Sequence, residues 1–157
     1  MAKDKIDVLN GLNKELNKGA TVKIGILGSS EKRDDEDGSS NLDIGTTHEF
    51  GAVKKDGTII PQRSFLRLTY AKNTDAFRSY LKKNEKQFKE LIAKQGMEAA
   101  LAEIGRWWVE AVLDTFSAQG YGTWDDLAPR TVAKKGSTEI LTETGALKRA
   151  ITYEVAQ

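Results

Sequence analysis

Met97-Glu98-Ala99-Ala100-Leu101-Ala102-Glu103-Ile104-Gly105-Arg106-Trp107-Trp108-Val109-Glu110-Ala111-Val112 places Met97, Leu101, Ile104, Trp108, Ala111 and Val112 at spacings of three and four. Side chains so spaced share one helical face, which predicts a long amphipathic helix ending before Gly120 and Gly122, with Trp107 on its flank. From about Thr74, a stripe of Phe77, Leu81, Phe88 and Ile92, with Tyr80 and Leu91 beside it, predicts another helix up to Gly96. Gly96 either separates two antiparallel helices or kinks one, since an interior glycine costs only about 1 kcal/mol. A break is the preferred reading.

The period changes elsewhere. Residues 4–17 carry Ile6, Val8, Leu9, Leu12 and Leu16 near helical spacing, and Thr21-Val22-Lys23-Ile24-Gly25-Ile26-Leu27 then alternates with a period of two. Ile151-Thr152-Tyr153-Glu154-Val155 alternates likewise and is the expected partner of the first strand. Residues 42–50 read as a short helix or turn that delivers Phe50 inward, ended by Gly51 at a positive φ. Lys54-Lys55-Asp56-Gly57 carries an Asp-Gly hairpin signal, and Pro61 holds the chain extended before Phe65 and Leu66. Helical turns are expected over 130–135 and 144–150. The polar, acidic stretch 29–41 has too few apolar side chains to offset its ordering entropy and reads as a mobile loop. The expected class is α+β: a small, mostly antiparallel sheet packed against two long helices, or one kinked helix, with mobile loops, in a single domain over 1–157.

At 157 residues the chain can bury a core without staples, and it contains no cysteine. Disulfides, thiolate metal sites and cysteine nucleophiles are thereby excluded. No apolar run approaches the roughly 18 residues of a membrane span and no signal-peptide core is present, so the expectation is a soluble protein made in the cytoplasm. A net charge of +1 supplies no global field for a polyanion. Charge is unevenly placed all the same: residues 31–43 hold six carboxylates against two cations, and residues 129–149 hold five cations against two carboxylates. Solvated surface is the plain interpretation, complementary subunit faces the sharper one.

The candidates for chemistry are few. His48 is the only histidine, with no HExxH or H-x-E…C-x-x-C companions, so a structural role is expected and no catalytic or metal-binding residue is assigned. A calcium loop would need acids where Arg33 and Ile44 stand, and Gly25–Ser30 lacks the lysine of a phosphate loop. No G-x-S-x-G elbow occurs. Trp107 and Trp108 fit a core better than a base-stacking platform, whereas Trp124, among Gly120, Gly122, Asp125 and Asp126, either pins a loop or anchors a partner. Lys82, Lys83, Lys86, Lys89 and Lys94 are interrupted by Glu85 and Glu90 and read as a solvated face. No cofactor is expected.

Four blocks occur in order: His48-Glu49-Phe50-Gly51-Ala52; Ile60-Pro61-Gln62-Arg63-Ser64-Phe65-Leu66-Arg67; Trp124-Asp125-Asp126-Leu127-Ala128-Pro129-Arg130-Thr131; and Ile140-Leu141-Thr142-Glu143-Thr144-Gly145-Ala146-Leu147. They resemble the "EFG", "IPxRPFLR", "W-x-x-L-x-P-x-T" and "L-x-x-T-G-x-L" elements of phage tail-completion proteins, also called virion morphogenesis or neck proteins. Ser64 stands where the second proline would be. The resemblance covers roughly residues 20–155 and singles out Glu49, Phe50, Gly51, Pro61, Arg63, Phe65, Leu66, Trp124, Pro129, Thr144, Gly145 and Leu147. It implies that Glu49 caps or pairs near Arg63 and that Phe50 packs.

The resemblance further implies a non-enzymatic component of a phage or prophage virion, assembled in the bacterial cytoplasm, that completes the head-proximal end of the tail. Its partners would be the tail tube or tail terminator protein, the head-completion or connector protein, and copies of itself in a ring, commonly hexameric, with DNA passing through without sequence recognition. Loops 29–47 and 52–59 would order on docking. The alternatives are a tail terminator or head-side connector and, from another class, a small nucleic-acid-binding protein.

Overall fold

The computed structural model describes residues 19–27, 39–136, 138, 140, 141 and 145–156. The expected helix at 4–17, most of the acidic loop, and Thr144 lie outside the described residues. β1 (Thr21–Ile26) pairs antiparallel with β4 (Ile151–Ala156) in the expected partnership, from Thr21 opposite Ala156 to Ile26 opposite Ile151. A second two-stranded sheet joins β2 (Ala52–Val53) to β3 (Ile59–Ile60). Its turn is closed where the Asp-Gly signal stands: the Lys54 N–H donates to the Thr58 carbonyl at 2.8 Å and the Asp56 carboxylate accepts the Thr58 N–H at 2.9 Å.

α1 (Asn41–Phe50) starts inside the stretch read as a loop. Ser40 and Asp43 form a capping box: the Ser40 hydroxyl accepts the Asp43 N–H and the Asp43 carboxylate accepts the Ser40 N–H, each at 3.0 Å. Residues 41–47 and the 52–60 hairpin, expected to order only on docking, are therefore helix and hairpin in the single chain. Gly51 ends α1 at φ +74°, and a Cβ there would stand 3.1 Å from the Ile60 carbonyl oxygen.

α2 (Leu66–Lys83) begins earlier than the stripe from Thr74 predicts, and Asn84 separates it from α3 (Glu85–Gln95). Asn84, at φ −104° and ψ 16°, interrupts the helix where a continuous one was expected, and its side chain donates to the Tyr80 carbonyl at 2.8 Å. Gly96 is a true break before α4 (Met97–Ser117). A tight 3₁₀ turn over Gln119–Gly122, α5 (Pro129–Lys135) and α6 (Ala146–Arg149) lead to β4.

The β1–β4 sheet lies across α4. The crossing is close because Gly105 has no side chain: a Cβ there would fall 2.4 Å from the Tyr153 ring. Phe65, Val112, Phe116, Trp124, Ile140, Leu147 and Ile151 form the core, with Ile24, Ile26, Ile44, Leu66 and Val109 packed around it. Between α2 and α4, the buried hydroxyls of Thr69 and Thr115 meet at 2.6 Å, so two small polar side chains help satisfy each other between the helices. Trp107 and Trp108 do not join the core. They lie half-buried in a separate aromatic cluster, Trp108 5.7 Å from Tyr70 and 5.1 Å from Phe77, and Trp107 5.7 Å from Tyr80.

Candidate functional site

α2 begins without a capping side chain of its own. Its first N–H groups have no intrahelical acceptors, and the positive end of the helix favours an anion there. Glu49, one residue from the end of α1, supplies that anion. Its buried carboxylate accepts the N–H groups of Phe65 at 2.8 Å, Leu66 at 2.9 Å and Arg67 at 3.1 Å, the Ser64 hydroxyl at 2.6 Å and Arg67 Nε at 3.0 Å. Burial alone would raise the pKa of Glu49. The donors from Ser64, Leu66 and Arg67 outweigh it, and the carboxyl is held below its ordinary value. The Glu49 backbone oxygen is engaged too, by Arg67 Nη2 at 2.6 Å and Gln62 Nε2 at 3.0 Å.

Arg63 does not pair with Glu49. Its buried guanidinium turns to the Trp124 loop, donating from Nε and Nη2 to the Asp125 carbonyl at 3.1 and 3.0 Å and from Nη2 to the Asp126 carbonyl at 3.1 Å. Trp124 returns the contact, its indole N–H donating to the Ser64 carbonyl at 3.1 Å while its ring packs edge-on to Phe116 at 5.9 Å. Trp124 thus pins its loop to the core. The Arg63 N–H closes the frame on the His48 carbonyl at 2.7 Å.

Three motif blocks meet here, and Leu147 of the fourth is buried in the same core as Phe65 and Trp124. Pro61 is half-buried and precedes the frame, Leu66 packs against the core, and Gly145 precedes α6 at φ +67°. Pro129 is exposed at the first position of α5, where its missing N–H costs nothing. Phe50 is the correction among these residues. α1 buries the row Asn41, Gly45 and Glu49, which turns Phe50 outward, 63% exposed, with the Arg67 guanidinium 4.6 Å above its ring.

Sequence reasoning missed Ser64, Arg67, Gln62 and the carbonyls of Asp125 and Asp126. Ser64 was legible only as a departure from the family proline, yet a proline would lack the hydroxyl that Glu49 accepts. His48 stands beside this frame, and among the described residues its Nδ1 has no hydrogen-bond partner. Burial first, then the neighbouring Arg63 charge, depress its pKa to about 4, so the ring is neutral near pH 7. Among the described residues no group of three or more His, Asp or Glu is placed to hold a metal ion, and no helix is long and apolar enough to cross a membrane. No family model, curated protein or solved structure matches the chain.

Proposed function

We propose that this chain is a structural component of a phage or prophage particle that completes the head-proximal end of the tail and joins it to the head, assembling as a ring around the DNA path. The observation that carries the reading is the convergence of the motif residues. Glu49, Arg63, Phe65, Trp124 and Leu147, which the resemblance to tail-completion proteins selects from four separated blocks, build one frame that fixes α1, the start of α2 and the Trp124 loop to a common core. Side chains placed for catalysis would converge on an open cleft; these are engaged in holding the scaffold. Among the described residues His48 Nδ1 has no hydrogen-bond partner, and the reading of His48 as structural rather than acid–base rests on that.

The tail tube or terminator and the head-completion or connector protein are the proposed partners, with assembly in the host cytoplasm. In vitro complementation tests this. Purified protein added to a lysate of a null phage should convert separate heads and tails into infectious particles, and Phe50→Asp protein, folded but altered on its exposed surface, should do so poorly. Complementation by neither protein rejects the joining role.

A further inference from the structure

Around the Glu49 frame, large apolar and cationic side chains are exposed on α1, on the hairpin and on α2. α1 turns its small and polar row inward and leaves Leu42 and Phe50 exposed; Val53 and Ile59, paired across the hairpin, are each 72% exposed. Tyr70, one turn beyond Arg67 on α2, is 64% exposed and stacks on Trp108. Lys54 and Lys55 are exposed on the hairpin turn and Arg67 covers Phe50. Grouped large apolar side chains with a charged rim mark an interaction surface, and a hairpin of two residue pairs is marginal in water without something to pack against.

α4 presents the complementary charge. Glu110 and Asp114, one turn apart, are exposed and repel each other, and neither takes part in an ion pair among the described residues, whereas Glu103 is engaged by Arg106 at 2.6 Å. Half-buried Trp107 and Leu113 flank this row with apolar surface. Trp108, under Tyr70, and Glu110 are two residues apart, which at 3.6 residues per turn sets them about 200° apart around the helix. Asp114, six residues on, is about 120° from Trp108, so the acidic row faces away from the side of α4 on which Tyr70 stacks. Complementary patches that face different ways fit a head-to-tail contact, not a two-fold one.

We propose that the surface formed by Phe50, Val53, Ile59, Tyr70, Lys54 and Lys55 receives the Glu110–Asp114 row of a second copy of this chain, and that repetition of this contact builds the ring. The inference rests on the ring in the assembly reading above and names its interface.

The test uses purified full-length protein at low salt, without phage particles, and sedimentation equilibrium. Wild type should self-associate, and K54E/K55E and E110K/D114K should each raise the dissociation constant about tenfold, which corresponds to about 1.4 kcal/mol. An equimolar mixture of the two should return to about the wild-type value, since each reversed patch then faces a reversed partner. Thermal unfolding at unchanged temperature confirms that the variants are folded. Because the chain has no cysteine, I59C and D114C proteins offer a second readout: mixed, they should form the disulfide-linked heterodimer in preference to either homodimer. A monomeric wild type at all concentrations, no recovery in the mixture, preferential linking of I59C to itself, or binding of single-stranded DNA that K54E/K55E abolishes while self-association is unchanged would each overturn the proposal. If self-association fails while a null lysate still lacks joined particles, the interface is wrong and the joining role stands.

Discussion

Replacing Glu49 with alanine removes the one acceptor shared by Ser64, by Arg67 Nε and by three N–H groups at the start of α2. The Phe65 N–H is buried and would lose its partner outright, at about 1–3 kcal/mol. The partly buried N–H groups of Leu66 and Arg67 admit water and lose less, about 0.5–1 kcal/mol each. With the favourable charge at the helix start, worth up to ~1 kcal/mol, the total comes to about 2–6 kcal/mol. That is a large part of the roughly 5–15 kcal/mol that holds a domain together.

Urea unfolding measures it. With a slope of about 2 kcal/mol per molar, the midpoint should fall by roughly 1–3 M at unchanged slope. Glu49→Gln keeps one acceptor oxygen and should lose about half as much. There is also a pH signature. The folded pKa of Glu49 is lowered, so the unfolded chain takes up the proton first as pH falls; the stabilisation is full above the ordinary glutamate value near 4.5 and is lost below it. Glu49→Gln should flatten that acid limb. An alanine variant within about 1 kcal/mol of wild type would refute the reasoning, because the α2 start would then be capped as well by water.

His48 titrates in a different window: its folded pKa of about 4 lies below the ordinary 6.5, so stability should fall between pH 6.5 and 4 by at most about 3 kcal/mol, and His48→Gln should remove that slope in urea titrations while leaving particle assembly within a few-fold. Arg63→Lys replaces a fork bonded to two carbonyls with a single ammonium and should cost about 1–3 kcal/mol, with red-shifted tryptophan emission as the Trp124 loop loosens; unchanged emission would show that the core alone seats Trp124. Gly105→Ala places a Cβ against the Tyr153 ring and should destabilise by about 1–3 kcal/mol, and adding Tyr153→Ala should return part of the loss in a double-mutant cycle.

Periodicity made the β1–β4 pairing and α4 legible, because each has one face on the core and its apolar residues repeat accordingly. The start of α2 was not legible, since its cap comes from Glu49, some sixteen residues earlier, and local sequence there offers no capping side chain. α1 inverts the usual rule. It buries Asn41, Gly45 and Glu49, a small and polar row, and hydropathy consequently assigned Phe50 to the wrong side. The tandem tryptophans were placed in the core because helical spacing reports a shared face without reporting what covers it. Of the candidate site, the resemblance implied that Glu49 caps or pairs near Arg63, and Gly51 at positive φ was readable from its place at the end of a short helix; the turn of Arg63 towards the Asp125 and Asp126 carbonyls was not, because backbone acceptors leave no mark in sequence.

The central proposal is that the chain completes a finished tail and joins it to the head, acting after tail length is set, and electron microscopy of a lysate from a phage lacking this protein tests it most directly. The account predicts filled heads and separate tails of normal length that have not joined. Overlong tails would assign the chain to length termination instead, and normal joined, infectious particles would contradict the account altogether.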